Sequence, residues 1–159
     1  MSSHSRHYRK GVILAVYRRK DEKLEYLSLY SPRHGKGWKL LKGTQRNMPL
    51  ISVADKELFD EAGLKAKRIQ AIDDRAKYEF RDWEKRGYNV IGQDLQAFVV
   101  ETNPDAQVQI DYRENVDFHW GGLDETKKLL RYEDHRRVLE KADRFIRKQI
   151  ELEKNLQKS

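Results

Sequence analysis

Cysteine is absent from this chain, so disulfides and thiolate-held metals play no part in its stability or chemistry. Apolar runs are short, none approaching the roughly 20 residues that span a bilayer. The stretch after Met1, SSHSRHYRK, has no apolar signal core. A soluble, cytoplasmic protein without membrane partners is therefore expected. No internal repeat, low-complexity segment or compositional break marks a second domain. At 159 residues the chain is one domain by length. Several familiar chemistries are missing as well. Gly35 to Gly37 (GKG) lacks the spacing and hydroxyl of a phosphate-binding loop. His4 and His7 have no further ligands at metal-binding spacing. No Ser-His-Asp or Cys-His arrangement can be assembled.

What the chain has in abundance is charge. Charged residues make up 37% of it and apolar ones 38%, which suits a small α+β domain with a heavily solvated surface. Lysine and arginine exceed aspartate and glutamate by seven, 33 against 26. That excess favours polyanionic partners such as nucleotides, RNA or DNA, or it serves solubility alone.

Gly11 to Tyr17 (GVILAVY) is almost continuously apolar and β-branched, the pattern of a central strand covered on both faces. Leu24 to Tyr30 alternates and pairs with it as a hairpin across RRKDEK. Trp38 to Leu41 reads as a short strand ending at Gly43. A helix follows, with Ser52 as N-cap and Asp55 completing a capping box. Ala54, Leu58 and Ala62 recur every four residues toward the core, and Gly63 closes the helix. Strands are expected over Ile69 to Phe80 and Tyr88 to Glu101. Val108 to Trp120 is expected to be extended, with a loop around Glu114, and Asp124 to Leu130 forms a short helix. Asp134 is the expected cap of a long final helix with an apolar stripe at Val138, Leu139, Ala142, Phe145, Ile146 and Ile150. That stripe packs on its own domain or on a second copy, so a homodimer stays open. Residues 1–8 read as a flexible N-terminus, 9–150 as the domain, and 151–159 as a fraying helix end.

The sharpest local feature is KELFDEAGL, Lys56 to Leu64. Glu57, Asp60 and Glu61 stand at i, i+3 and i+4, which places all three on one helical face beside the core stripe. Like charges that close repel, at a few tenths of a kcal/mol per pair. A divalent cation removes the penalty, and Mg²⁺ prefers such hard oxygen ligands. The same pattern also fits an ordinary solvated acidic face.

Context separates the two. Gly43 to Leu64, GTQRNMPLISVADKELFDEAGL, resembles the Nudix box: Gly, five residues, Glu, seven residues, then Arg-Glu-U-x-Glu-Glu-x-Gly-U, with U a bulky aliphatic. Upstream, GWKLLKG resembles the strand that leads into the box. The departures are specific. The stretch before Lys56 is one residue short, and Met48 and Pro49 stand where the first glutamate belongs. Lys56 replaces arginine and Asp60 replaces glutamate. Lysine lacks arginine's planar fork.

The resemblance implies a Nudix α/β/α sandwich, an α/β (α+β) domain with a mixed sheet between helices. It implies Mg²⁺ or Mn²⁺ held by Glu57, Asp60 and Glu61, with the Gly43 carbonyl as a further ligand, and hydrolysis of a pyrophosphate bond. A second segment resembles the RNA pyrophosphohydrolase and dinucleoside polyphosphate hydrolase branch. YNVIGQDLQAFVVE supplies Gly92 and Gln93, while Gln96 falls one residue late and so on the opposite strand face. ENVDFHWGGLDE aligns Glu114 with the branch's loop glutamate, a metal ligand or general base. It also aligns Trp120 with the branch's last tryptophan, and Phe118 with its first.

The expected catalytic residues are thus Glu57, Glu61 and Glu114. Lys39 and Lys42 are candidates for phosphate contact or ordinary surface lysines. Gln93 is a candidate substrate contact. Among the aromatics near Arg75, Arg81 and Arg86, Tyr78 and Phe80 favour packing, whereas Trp83 in its charged loop is the better stacking candidate. Tyr88 flanks the same loop. The expected substrate is a dinucleoside polyphosphate or an RNA 5′-triphosphate end. The alternatives are an inert Nudix domain that binds RNA, and a pyrophosphatase that removes damaged free nucleotides.

Overall fold

The computed structural model describes residues 7–33, 36–80 and 90–158. In chain order the elements are β1 (His7–Lys20), β2 (Lys23–Ser31), β3 (Gly37–Lys39), β4 (Leu41–Thr44), α1 (Leu50–Ala62), β5 (Ala66–Glu79), β6 (Val90–Thr102), β7 (Asp117–Gly121), α2 (Leu123–Leu129) and α3 (Glu133–Gln157). They build one mixed sheet in the order β3-β2-β1-β6-β5, with β4 also on β1 and β7 also on β2. The β1–β6 pair is parallel and every other pair is antiparallel.

β1 is the axis of the sheet because its sequence has no polar face over Val12 to Val16, all of which are fully buried. Its two rows of side chains feed two cores. Ile13, Ala15 and Tyr17 join Leu95, Ala97 and Val99 of β6 beneath Val138, Leu139, Ala142 and Ile146 of α3. Val12, Leu14 and Val16 join Phe98 and Val100 beneath Val53, Ala54, Leu58 and Ala62 of α1. The result is the expected helix–sheet–helix sandwich. The stripe of α3 packs on its own sheet, and α3 continues to Gln157 with Leu152 and Leu156 exposed. No helix among the described residues is long and apolar enough to cross a membrane.

Three local expectations are corrected. α1 begins at Leu50, not after Ser52. Pro49 is the N-cap, with φ −60° and no side-chain cap bond, and its carbonyl accepts from the N–H groups of Ser52 and Val53. Proline's fixed φ already suits a helix start, so the Ser52 hydroxyl has no capping task. α3 likewise starts one residue after Tyr132 rather than under an Asp134 cap. The Trp38–Leu41 strand is broken at Leu40. Residues before it pair with β2 and residues after it with β1, while the Leu40 N–H donates to His135 Nδ1 at 3.1 Å. Gly63 closes α1 as expected, in the left-handed region at φ 66°.

Candidate functional site

β4 and α1 meet at Gly43. A Cβ there would lie 2.1 Å from Glu57 Cγ, so only glycine lets the helix carboxylates come this close to the sheet. The Gly43 carbonyl oxygen faces β1, 2.1 Å from where a Cβ on Gly11 would stand.

Glu57 and Glu61 are half-buried and Asp60 is exposed. Burial, with Asp60 and Glu114 nearby, pushes the Glu57 carboxyl up, and Lys56 and Arg46 oppose the rise. Glu61 is held well above the ordinary carboxylate range by burial, then by the charges of Glu57 and Glu114. It accepts the backbone N–H of Lys42, yet its Oε2 is buried with no hydrogen-bond partner. An orphaned buried carboxylate oxygen is costly and calls for a cation or a proton. Asp60 is engaged by Lys56 one turn back along the helix.

Glu114 reaches this group from the loop between β6 and β7. It lines a cavity of about 330 Å³ with Glu57, Asp60, Glu61, Arg46 and Lys56. It also lines a larger one of about 580 Å³ with Glu61, Lys39, Lys42 and Arg33. Its loop is tied down. Asp111 accepts from the Arg113 N–H, Nε and Nη2 at 3.0, 3.0 and 2.9 Å, and its carbonyl accepts the Glu114 N–H at 3.1 Å. Arg33 Nη1 donates to the Arg113 carbonyl at 3.3 Å, fastening the loop to the end of β2.

Lys39 faces the acids. Burial lowers its pKa first and Lys42 adds to that, while Glu61 and Glu114 pull the other way. Lys42 turns to the α3 side of the sheet. Its Nζ donates to the Tyr78 hydroxyl at 3.0 Å, and that hydroxyl in turn donates to Gln93 Oε1. The structure thus links Lys42 and Gln93 through a tyrosine that sequence reasoning assigned to packing. Tyr78 does pack against the α3-side core, but its hydroxyl joins the two. Gln96 faces the other way, donating to the Ile72 carbonyl at 2.7 Å beside the irregularity in β5.

Arg33, Arg46 and Arg113 were not singled out from sequence. The Asp-x-Arg run at 111–113, just before Glu114, is the signal that would have found one of them. Trp83, with Arg81, Arg86 and Tyr88, lies outside the described residues. Among the described residues, no three carboxylates or imidazoles are already gathered closely enough to hold an ion. The donor chemistry nevertheless fits a hard divalent cation. The candidates are all oxygen, mutually repelling and partly dehydrated, and one oxygen is unpaired.

No protein-family model matches the sequence, and no curated protein matches it significantly. Solved structures do. An Ap4A hydrolase from C. elegans, seen as a binary complex, superimposes with TM-score 0.71 at 20% identity, over 87% of this chain and 97% of that one. The E. coli dihydroneopterin triphosphate pyrophosphohydrolase gives 0.68 at 14%, over 84% and 95%. The Nudix domain of Shewanella oneidensis NrtR, complexed with ADP ribose, gives 0.67 at 15%, over 92% and 93%. At these identities the likeness establishes architecture. The chain has the Nudix-hydrolase fold.

Proposed function

We propose that this chain is a metal-dependent hydrolase that cleaves a pyrophosphate bond in a nucleoside diphosphate derivative. The preferred substrate is a dinucleoside polyphosphate or an RNA 5′-triphosphate end. The observation that carries this is the unpaired, buried Oε2 of Glu61, set beside Glu57 and Glu114 at a cavity that Lys39 and Lys42 also line.

Glu57, Asp60, Glu61 and Glu114 would hold Mg²⁺ or Mn²⁺. The Gly43 carbonyl, which faces β1, is the weakest member of the set. When bound, the ion neutralises phosphate charge and lowers the pKa of the attacking water. The protein's own groups do the rest. Lys39, Lys42 and Arg33 line the larger cavity and would meet phosphate oxygens there. The Asp111 carbonyl and the Asp111–Arg113 clamp hold the Glu114 backbone, and the Glu114 carboxylate would accept the proton of an attacking water. The Lys42–Tyr78–Gln93 series extends the hydrogen bonding available at the cavity from Lys42 to Gln93.

One observation favours a second reading, a non-catalytic Nudix domain that binds RNA. The Lys56 ammonium occupies Asp60, one of the proposed ligands. Thermal unfolding with and without Mn²⁺ separates the two when combined with turnover of diadenosine tetraphosphate and 5′-triphosphate RNA. The hydrolase should gain about 2.7 kcal/mol of stability at a hundredfold excess of metal over its dissociation constant. The gain should vanish in the Glu57→Gln/Glu61→Gln double variant. Absence of both stabilisation and turnover, with RNA still bound, would establish the non-catalytic reading. Turnover confined to mononucleotides would redirect the substrate assignment.

A further inference from the structure

The sheet face that carries α1 continues beyond the larger cavity, the one lined by Glu61, Glu114, Lys39 and Lys42. Leu29 lines that cavity and is the register partner of Phe118, Leu27 is the partner of Trp120, and Glu25 is the partner of Arg18. Same-face positions on a strand recur every two residues, about 6.6–6.8 Å apart. Phe118 and Trp120 therefore follow each other along β7 beside Leu29 and Leu27, and Arg18, on the opposite edge of β2, reaches across to the Trp120 ring. With Lys20 and the Pro104–Val108 segment they line a separate groove of about 340 Å³.

The lining has a definite chemistry. Phe118 is 40% exposed and offers a stacking surface at the groove. The Arg18 guanidinium lies 4.2 Å from the centre of the Trp120 ring, with its Nε held by Glu25 at 2.8 Å. Lys20 is exposed at the groove. Asp105 is the one acid among the lining residues. Aromatic surface interleaved with cations along an open track suits unstacked bases and a phosphodiester backbone. The chain's net charge of +7 favours the same ligand.

We propose that this groove takes a single strand of nucleic acid emerging from the larger cavity. A base following the 5′ phosphates stacks on Phe118, and the backbone passes Arg18 and Lys20. The idea rests on the proposed function for the position of the 5′ end. Within that reading it selects a polynucleotide over a dinucleoside polyphosphate.

The test uses the full chain, a labelled 5′-triphosphorylated single-stranded RNA of about eight nucleotides, a DNA strand of the same sequence, and diadenosine tetraphosphate. Strand binding is read by fluorescence anisotropy and turnover is read separately. Phe118→Ala and Lys20→Glu both alter exposed side chains, and thermal melts confirm that each variant is folded. Phe118→Ala should weaken strand binding about tenfold. Lys20→Glu should weaken it and reduce the salt dependence by about one counterion. Both variants should turn over diadenosine tetraphosphate at the wild-type rate. Loss of binding on either strand supports the groove, and the DNA arm shows whether the 2′-hydroxyl takes part. Unchanged binding in both variants on both strands overturns it. Weakened binding in a protein that hydrolyses nothing leaves the groove standing and removes the hydrolase. Normal hydrolysis with unweakened binding does the reverse.

Discussion

On the α3 side of the sheet, Asp143 is only 5% exposed, yet it accepts the Tyr26 hydroxyl at 2.6 Å and Arg147 Nε at 2.9 Å. On the α1 side, Glu61 has a buried oxygen with no partner and two further carboxylates acting on it. Both helices place an acid against the same sheet. Asp143 is satisfied where it stands and Glu61 is not. A paired buried carboxylate holds two layers together, whereas an unpaired one keeps binding capacity for something that arrives later. On the proposed reading Asp143 is a structural acid and Glu61 a functional one.

Replacing the Glu61 charge while keeping its shape should have the largest effect. Glu61→Gln keeps the acceptor for the Lys42 N–H but removes the charge that burial, Glu57 and Glu114 all oppose. Turnover should fall on the order of 10³-fold, while the metal-free protein unfolds at higher denaturant than wild type. A kinetic assay and a urea titration on one preparation read both. A variant that keeps its activity, or is less stable than wild type without metal, would make Glu61 a second structural acid.

The mirror substitution is Asp143→Ala. It leaves the fully buried Tyr26 hydroxyl unpaired and should cost about 2–3 kcal/mol in a urea titration. Turnover of the folded fraction should not change. The Tyr26 proton, held above its ordinary range by burial and by Asp143, should ionise more readily without the acid.

How much of this was legible follows from the range of the interactions. The α1 stripe of Ala54, Leu58 and Ala62, the Gly63 stop and the two-sided burial of Val12 to Val16 were all readable, because periodicity and turn chemistry are local. Glu57, Asp60 and Glu61 were grouped by helical spacing alone. Glu114 could be singled out only through family resemblance, since it is 53 residues beyond Glu61 in the sequence. The Lys42–Tyr78–Gln93 series was not legible: it draws on three strands, and an aromatic in a strand gives no sign of where its hydroxyl will end. The break at Leu40 was hidden for the same reason, because its cause is a histidine 95 residues away.

That histidine gives the smallest and most discriminating prediction. His135 is 2% exposed, and its Nδ1 accepts the Leu40 N–H, so the ring proton sits on Nε2. Burial first, then the charges of Lys42, Lys39 and Arg136, lower its pKa to about 3, and the Tyr132 ring lies 5.3 Å away. In the unfolded chain the same group titrates near its ordinary value of 6.5. Between these values the unfolded state binds the proton and the native state does not. The stability due to neutral His135 is therefore complete above pH 6.5 and is lost as pH falls toward 3. The slope is about 1.4 kcal/mol per pH unit. Glu57 and Glu61 act with the opposite sign, because their raised values make the native state take up protons first as the solution is acidified. Wild type alone therefore shows only the sum of opposing contributions, among them those of Asp94, Asp111 and Glu140, whose carboxyls are held below their ordinary range. His135→Asn retains an acceptor for Leu40 and removes the titrating ring, so urea midpoints of the two proteins between pH 7 and 5 isolate one face from the other. The gap between them should narrow steadily with acid, and parallel curves would mean that the α3 face does not hold its histidine neutral.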